Sequence, residues 1–208
     1  MAQAMTSMAP VAPIMCPVID LVDETCAARA ASSPSAEEIE ERSRAGQGLT
    51  RPELAMVLSY AKIALNHQLI QSDVPEDPYL SQELGRYFPP RLSERYGKLM
   101  PEHRLRREII ATATTNSIVN RMGPTFVHRT QADTGADAAT VARAYSIARE
   151  VFDVREMWNA IEALDNKVAA SVQYAMVQDT LGLIRQVTYW LIQRHRGALG
   201  IDAQVGRL

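Results

Sequence analysis

One uninterrupted run, EHRLRREIIATATTNSIVNRMG at residues 102–123, sets the architecture that the rest of the sequence must accommodate. Pro101 stands near its first turn, Glu102 suits the positive end of a helix dipole, and Gly123 is placed for a cap after the last turn. At about 100° per residue, Leu105, Ile109, Thr112, Asn116, Val119 and Asn120 share one face, which begins apolar and turns polar. If that face is buried, Thr112 and Asn116 need internal partners, because an unpaired buried polar group costs roughly 1–3 kcal/mol. Such groups suit a helix at the centre of a bundle, where they fix which neighbour packs where. The other reading turns them to water at a domain boundary. Thr112, Asn116, Asn120, Arg121 and Gly123 are therefore the candidate structural or interface residues.

The remaining sequence also reads as helix. Ser35-Ala-Glu-Glu38 is a capping box opening a short polar helix that ends at Gly46. Thr50-Arg51-Pro52-Glu53 is a second one, with proline in the first turn. Beyond it Leu54, Val57, Leu58, Ala61, Leu65 and Leu69 recur at steps of three and four, which predicts a core-facing helix to about Ser72. Asp77, Asp137 and Asp153 are placed as N-caps of three further helices. The last and longest helix is expected from about Val168 to Arg194. Val172, Met176, Leu183, Val187 and Trp190 lie on one side of it, and Tyr174, Val177, Leu181, Ile184 and Ile192 on another, so it is expected to be buried between neighbours. Residues 1–33 read as irregular, 34–196 as one helical domain and 197–208 as a frayed tail. The expected class is all-α: an irregular bundle of seven or eight helices, short ones packed across long ones, with no convincing strand.

The chemistry legible in the residues is sparse. Across 208 residues, 22 Lys plus Arg against 24 Asp plus Glu leave a net charge of −2, a poor footprint for sequence-independent nucleic-acid binding. The aromatics Tyr79, Tyr87, Phe88 and Tyr96 interleave with Arg86, Arg91 and Arg95, a pattern better explained by packing between short helices than by stacking on bases. No apolar run approaches the ~18 residues of a membrane span. Cys16 and Cys26 match no metal or redox spacing and read as incidental thiols in a reducing cytoplasm. His67, His103, His128 and His195 stand too far apart to suggest a metal site. Gly46-Gln-Gly48 lacks the preceding strand and third glycine of a dinucleotide loop. His103, Arg104, Arg106 and Arg107 oppose the dipole at a helix start, so acidic neighbours or an anionic ligand should compensate them. Ion pairing is the ordinary explanation. Arg104, Arg106 and Arg107 are the candidate anion site.

Four stretches carry a resemblance: EEIEERSRAGQGLTRPELAMVLSYAKI, SDVPEDPYL with RYFPP, HRLRREIIATATTNSIVNRMGPTF, and VFDVREMWNAIEALDNKV. From about Ser33 onward the chain resembles the C-terminal region of the large NAD-specific glutamate dehydrogenases of bacteria. The resemblance implies a parent enzyme that oxidises glutamate to 2-oxoglutarate and ammonia with NAD, its hydride-transfer and dinucleotide-binding segments lying upstream. It transfers no catalytic, cofactor-binding or metal residue to this chain, so NAD belongs to the parent and this segment is expected to be inactive alone. Residues 1 to about 32 depart from the family, which suggests a fragment. The implied role is a cytoplasmic helical domain that packs on the parent's catalytic core or on another subunit, without nucleic acid or membrane. The alternative is a free-standing helical regulatory or anion-binding module.

Overall fold

The computed structural model describes residues 34–195 and 199–205. Cys16, Cys26 and the irregular segment 1–33 lie outside the described residues. Those described form ten α-helices and three short 3-10 segments, with no strand among them. The all-α expectation is borne out. Contacts divide the chain into two compact units, one ending at Ala64 and the other beginning at Leu65, where a single helical domain is expected.

In the first unit, helix α1 (Ala36–Arg44) starts from the expected reciprocal cap. Glu38 N–H donates to Ser35 Oγ at 3.2 Å, and Ser35 N–H donates to Glu38 Oε2 at 2.7 Å. Helix α2 (Arg51–Gln71) opens with Thr50 N–H donating to Glu53 Oε2 at 2.6 Å. Arg42, in the last turn of α1, donates to the other oxygen of Glu53 at 2.9 Å, tying the end of α1 to the start of α2. Ile39, Val57 and Ala61 are buried, whereas Leu54 is exposed because it lies in the first turn of α2.

The second unit continues through 3-10 turns Val74–Glu76 and Pro78–Ser81, then α3 (Gln82–Tyr87), α4 (Pro90–Tyr96) and the 3-10 segment Gly97–Glu102. Asp77 takes its expected capping place, accepting from Tyr79 N–H at 3.0 Å. Next come α5 (Arg106–Met122), α6 (Phe126–Thr134), α7 (Ala138–Val151), α8 (Val154–Glu162), α9 (Ala170–Arg194) and α10 (Ile201–Val205). The buried helix at the centre is α7, entered through Asp137, whose carboxylate accepts from Thr140 N–H at 2.7 Å. Its alanines 138, 142, 144 and 148 have no side chain beyond Cβ, so α6, α8, α9 and α10 all approach it closely.

Several expectations need correction. Helix α5 starts at Arg106 rather than Glu102, because Pro101 sits inside a separate 3-10 segment. Its buried residues are Ile109, Ile110, Ala111, Thr114, Thr115, Ile118, Val119 and Met122, so Ile109 and Val119 of the expected face are buried, while Thr112 and Asn116 are half-buried, Asn120 is exposed and Leu105 is 53 % exposed. Asp153 precedes α8 in a left-handed conformation, φ 46°, and its carboxylate caps nothing, since capping geometry needs an extended residue there. Asn166, the hinge into α9, is also left-handed at φ 60°.

Helix α9 is covered on one side only. Thr180, Ile184, Thr188 and Leu191 are buried, while Val172, Tyr174, Met176 and Trp190 stay exposed, Trp190 by 51 %. Helices α6, α7 and α8 pack against α9. Leu199 and Ile201 are buried and α10 packs on α7, where a frayed tail is expected.

Candidate functional site

A cleft of about 380 Å³ opens in the second unit among α3, α5, α7 and α8. Glu83 comes from α3; Ala113, Asn116, Ser117, Asn120 and Arg121 from α5; Arg149 from α7; and Arg155, Trp158 and Asn159 from α8. The α5 residues recur at steps of three and four, so one helix face forms a whole wall. Asn116, Asn120 and Arg121, candidates from the sequence, thus meet in one cleft. Thr112 lies apart from them, its Oγ1 accepting from Asn66 at 3.2 Å. Gly123 ends α5 with φ 86°, a backbone state that favours glycine, and its N–H donates to Val119 O at 3.1 Å.

The cleft floor is a charge network that the periodic reading did not single out. Arg149, its side chain 3 % exposed, donates Nε to Glu150 Oε1 at 2.8 Å, Nη1 to Ser117 Oγ at 3.0 Å and Nη2 to Glu83 Oε1 at 3.1 Å. Arg155 reaches the same Glu83 oxygen at 2.6 Å, and its Nε lies 3.6 Å from Glu150. Arg86 adds a third guanidinium at 3.3 Å from Glu83. Tyr79 O–H donates to Glu150 Oε2 at 2.8 Å. Burial works against ionised Glu150, yet the charge of Arg149 and the phenol of Tyr79 prevail and hold its carboxyl below the usual value. Burial likewise works against charged Arg149, and Glu83 and Glu150 outweigh it, pushing that guanidinium up. Burial pushes the Tyr145 hydroxyl up; it donates to Ser117 O at 3.1 Å and lies 3.0 Å from Ser117 Oγ. A sequence signal for Arg149 existed: the buried stripe Val141, Ala142, Tyr145 lands on residue 149 one turn later, so a charge falls where the helix faces the core.

At the rim, Arg121 lays its guanidinium over the Trp158 indole, 4.4 Å from the ring centroid, with Nη1 3.3 Å from Glu162. Ser117 touches a phenol and a guanidinium, neither of them a base at neutral pH, so the arrangement can bind and orient but does not activate a nucleophile. Among the described residues no group of three His, Cys, Asp or Glu side chains could hold a metal ion. No helix there is long and apolar enough to cross a membrane.

The basic cluster lies elsewhere. Arg106 and Arg107 both pair with Glu76, and Arg107 also donates to Ile70 O at 2.7 Å and Ser72 O at 3.1 Å. Arg104 is exposed. A smaller apolar groove of about 220 Å³ runs between Phe88, Leu92, Tyr96, Leu99, Met100 and His103. Tyr87 and Phe88 meet edge to face at 5.3 Å, and Phe88 lies 5.5 Å from His103, so part of the aromatic cluster is packing between short helices.

The described residues of this unit are thus all-helical and carry one polar, charge-lined cleft. The family model "Glutamate dehydrogenase, C-terminal" matches residues 46–208, and the chain belongs to that family. It is 49 % identical over 164 residues to an NAD-specific glutamate dehydrogenase of Halomonas elongata, covering 79 % of this chain and 10 % of that protein. The corresponding Pseudomonas aeruginosa protein is 45 % identical over 166 residues, covering 80 % of this chain and 10 % of the relative. The Mycobacterium tuberculosis one is 33 % identical over 174 residues, covering 84 % and 11 %. The chain thus spans about a tenth of the length of the curated relatives it matches.

Proposed function

We propose that this chain is a non-catalytic assembly segment that packs on the catalytic part of an NAD-dependent glutamate dehydrogenase, whose parent reaction converts L-glutamate to 2-oxoglutarate and ammonia. The observation that carries this reading is the uncovered side of α9, where Val172, Met176 and Trp190 recur at steps that bring them round to one flank of the helix. Apolar residues gathered on one exposed face mark an interaction surface. The family relatives supply the occupant: about nine-tenths of their length lies outside the match.

The test is glutamate-dependent NADH formation by a relative truncated before the segment equivalent to Gly46, alone and with this chain added. Activity restored by the chain and lost with Trp190→Glu supports the role. Activity of this chain alone overturns it. Full activity of the truncated enzyme, with no complex on gel filtration, also overturns it.

A further inference from the structure

The charge network under the cleft is one carboxylate short. Among the described residues, Arg86, Arg149 and Arg155 converge on Glu83 and Glu150, three guanidiniums against two carboxylates, with Arg86 exposed to solvent and Arg149 and Arg155 the inner pair. Arg121 at the rim lies over Trp158, and among the described residues its ion-pair partner is the exposed Glu162. Surplus positive charge around a buried guanidinium is costly unless an anion joins it. Two further observations point into the same space. Asn116, half-buried, and Asn120 and Asn159, both exposed, line the cleft. Trp158, 5 % exposed, lines it too, and its Nε1–H finds no acceptor among the described residues. An indole N–H can only donate and a carboxamide can do both, so the unfilled demand includes at least one acceptor group.

We propose that this cleft is a binding site for a small carboxylate-bearing metabolite. The ligand carboxylate takes the place of the missing acid opposite Arg155 and Arg121 and accepts from the carboxamide N–H groups. The Asn oxygens remain free for a hydroxyl or ammonium on the same ligand. A volume of about 380 Å³ suits a compact metabolite rather than a dinucleotide. The site requires no catalytic core, so it stands or falls independently of the assembly role.

The 208-residue chain with Trp190→Phe leaves Trp158 as the sole indole, since the sequence has two tryptophans. Its fluorescence and thermal midpoint are followed at constant ionic strength with acetate, succinate and L-malate, and with neutral succinamide as control. A saturable response to a carboxylate below about 10 mM is expected, with none to succinamide. Arg121→Gln and Asn116→Leu should each weaken binding about tenfold, the loss of one charge-assisted or amide contact. Arg121 is exposed, so its variant keeps the fold, which an unchanged melt without ligand verifies. No saturable response to any of the three acids overturns the proposal, as does an equal response to succinamide or to added chloride. Binding of an acidic peptide alone also overturns it and makes the cleft a protein contact.

Discussion

Arg107 Nη2 donates to the carbonyl of Ile70 at 2.7 Å, joining the first turn of α5 to the last turn of α2. The same nitrogen reaches Ser72 O at 3.1 Å, and Nη1 pairs with Glu76. The last carbonyls of a helix have no partner within it, and a guanidinium fork satisfies two at once. A cation at the start of α5, unfavourable for its own helix, thus serves the end of another.

Replacing Arg107 with Ala strands those carbonyls and should lower stability by about 1–3 kcal/mol. Arg107→Lys keeps the charge without the fork and should fall between. Urea unfolding followed by circular dichroism at neutral pH measures both.

Arg149→Met leaves Glu83 and Glu150 facing each other with their nearest buried cation gone. Removing one partner of a buried ionic cluster costs about 3–5 kcal/mol. The triple variant with Glu83→Gln and Glu150→Gln should recover much of the loss in the same unfolding experiment, since neutral amides need no counter-charge.

The depressed pKa of Glu150 gives a pH dependence of definite sign. Its contribution to stability is fully present above the ordinary value of 4.5 and is lost as pH falls through the lower folded value. Thermal melts between neutral pH and pH 3 should show this decline. Glu150→Gln should be less stable at neutral pH and show a flatter acid limb.

Thr188 is fully buried and, among the described residues, its hydroxyl has no partner. Valine has nearly the same shape without the polar atom, so Thr188→Val should raise stability by about 1 kcal/mol. Differential scanning calorimetry would reveal an unchanged or lower midpoint if the hydroxyl were in fact satisfied.

Helix ends were readable from sequence where the signal is local. Ser35 with Glu38, and Asp137 with Thr140, cap their helices through bonds spanning three residues. Faces were harder, because burial depends on neighbours the helix cannot announce. Ile109 and Val119 of the expected face go inward, but so do Thr114, Thr115 and Ile118, while Asn116 is half-buried and Asn120 exposed. The centrality of α7 was invisible to a search for large apolar residues, since alanine brings helices close without standing out. Helix α9 looked fit for burial on two sides, but its neighbours cover only one. The network of Glu83, Arg149, Glu150 and Arg155 draws on three helices, and no spacing within one stretch could assemble it.

Helix α8, which brings Arg155, Trp158 and Asn159 to the cleft, lies between two left-handed residues that are not glycine, Asp153 and Asn166. Only Asn, Asp and Gly enter that backbone region at little cost, and a β-branched side chain there is a steric outlier. The chain path at positions 153 and 166 therefore favours Asn, Asp or Gly and penalises β-branched residues.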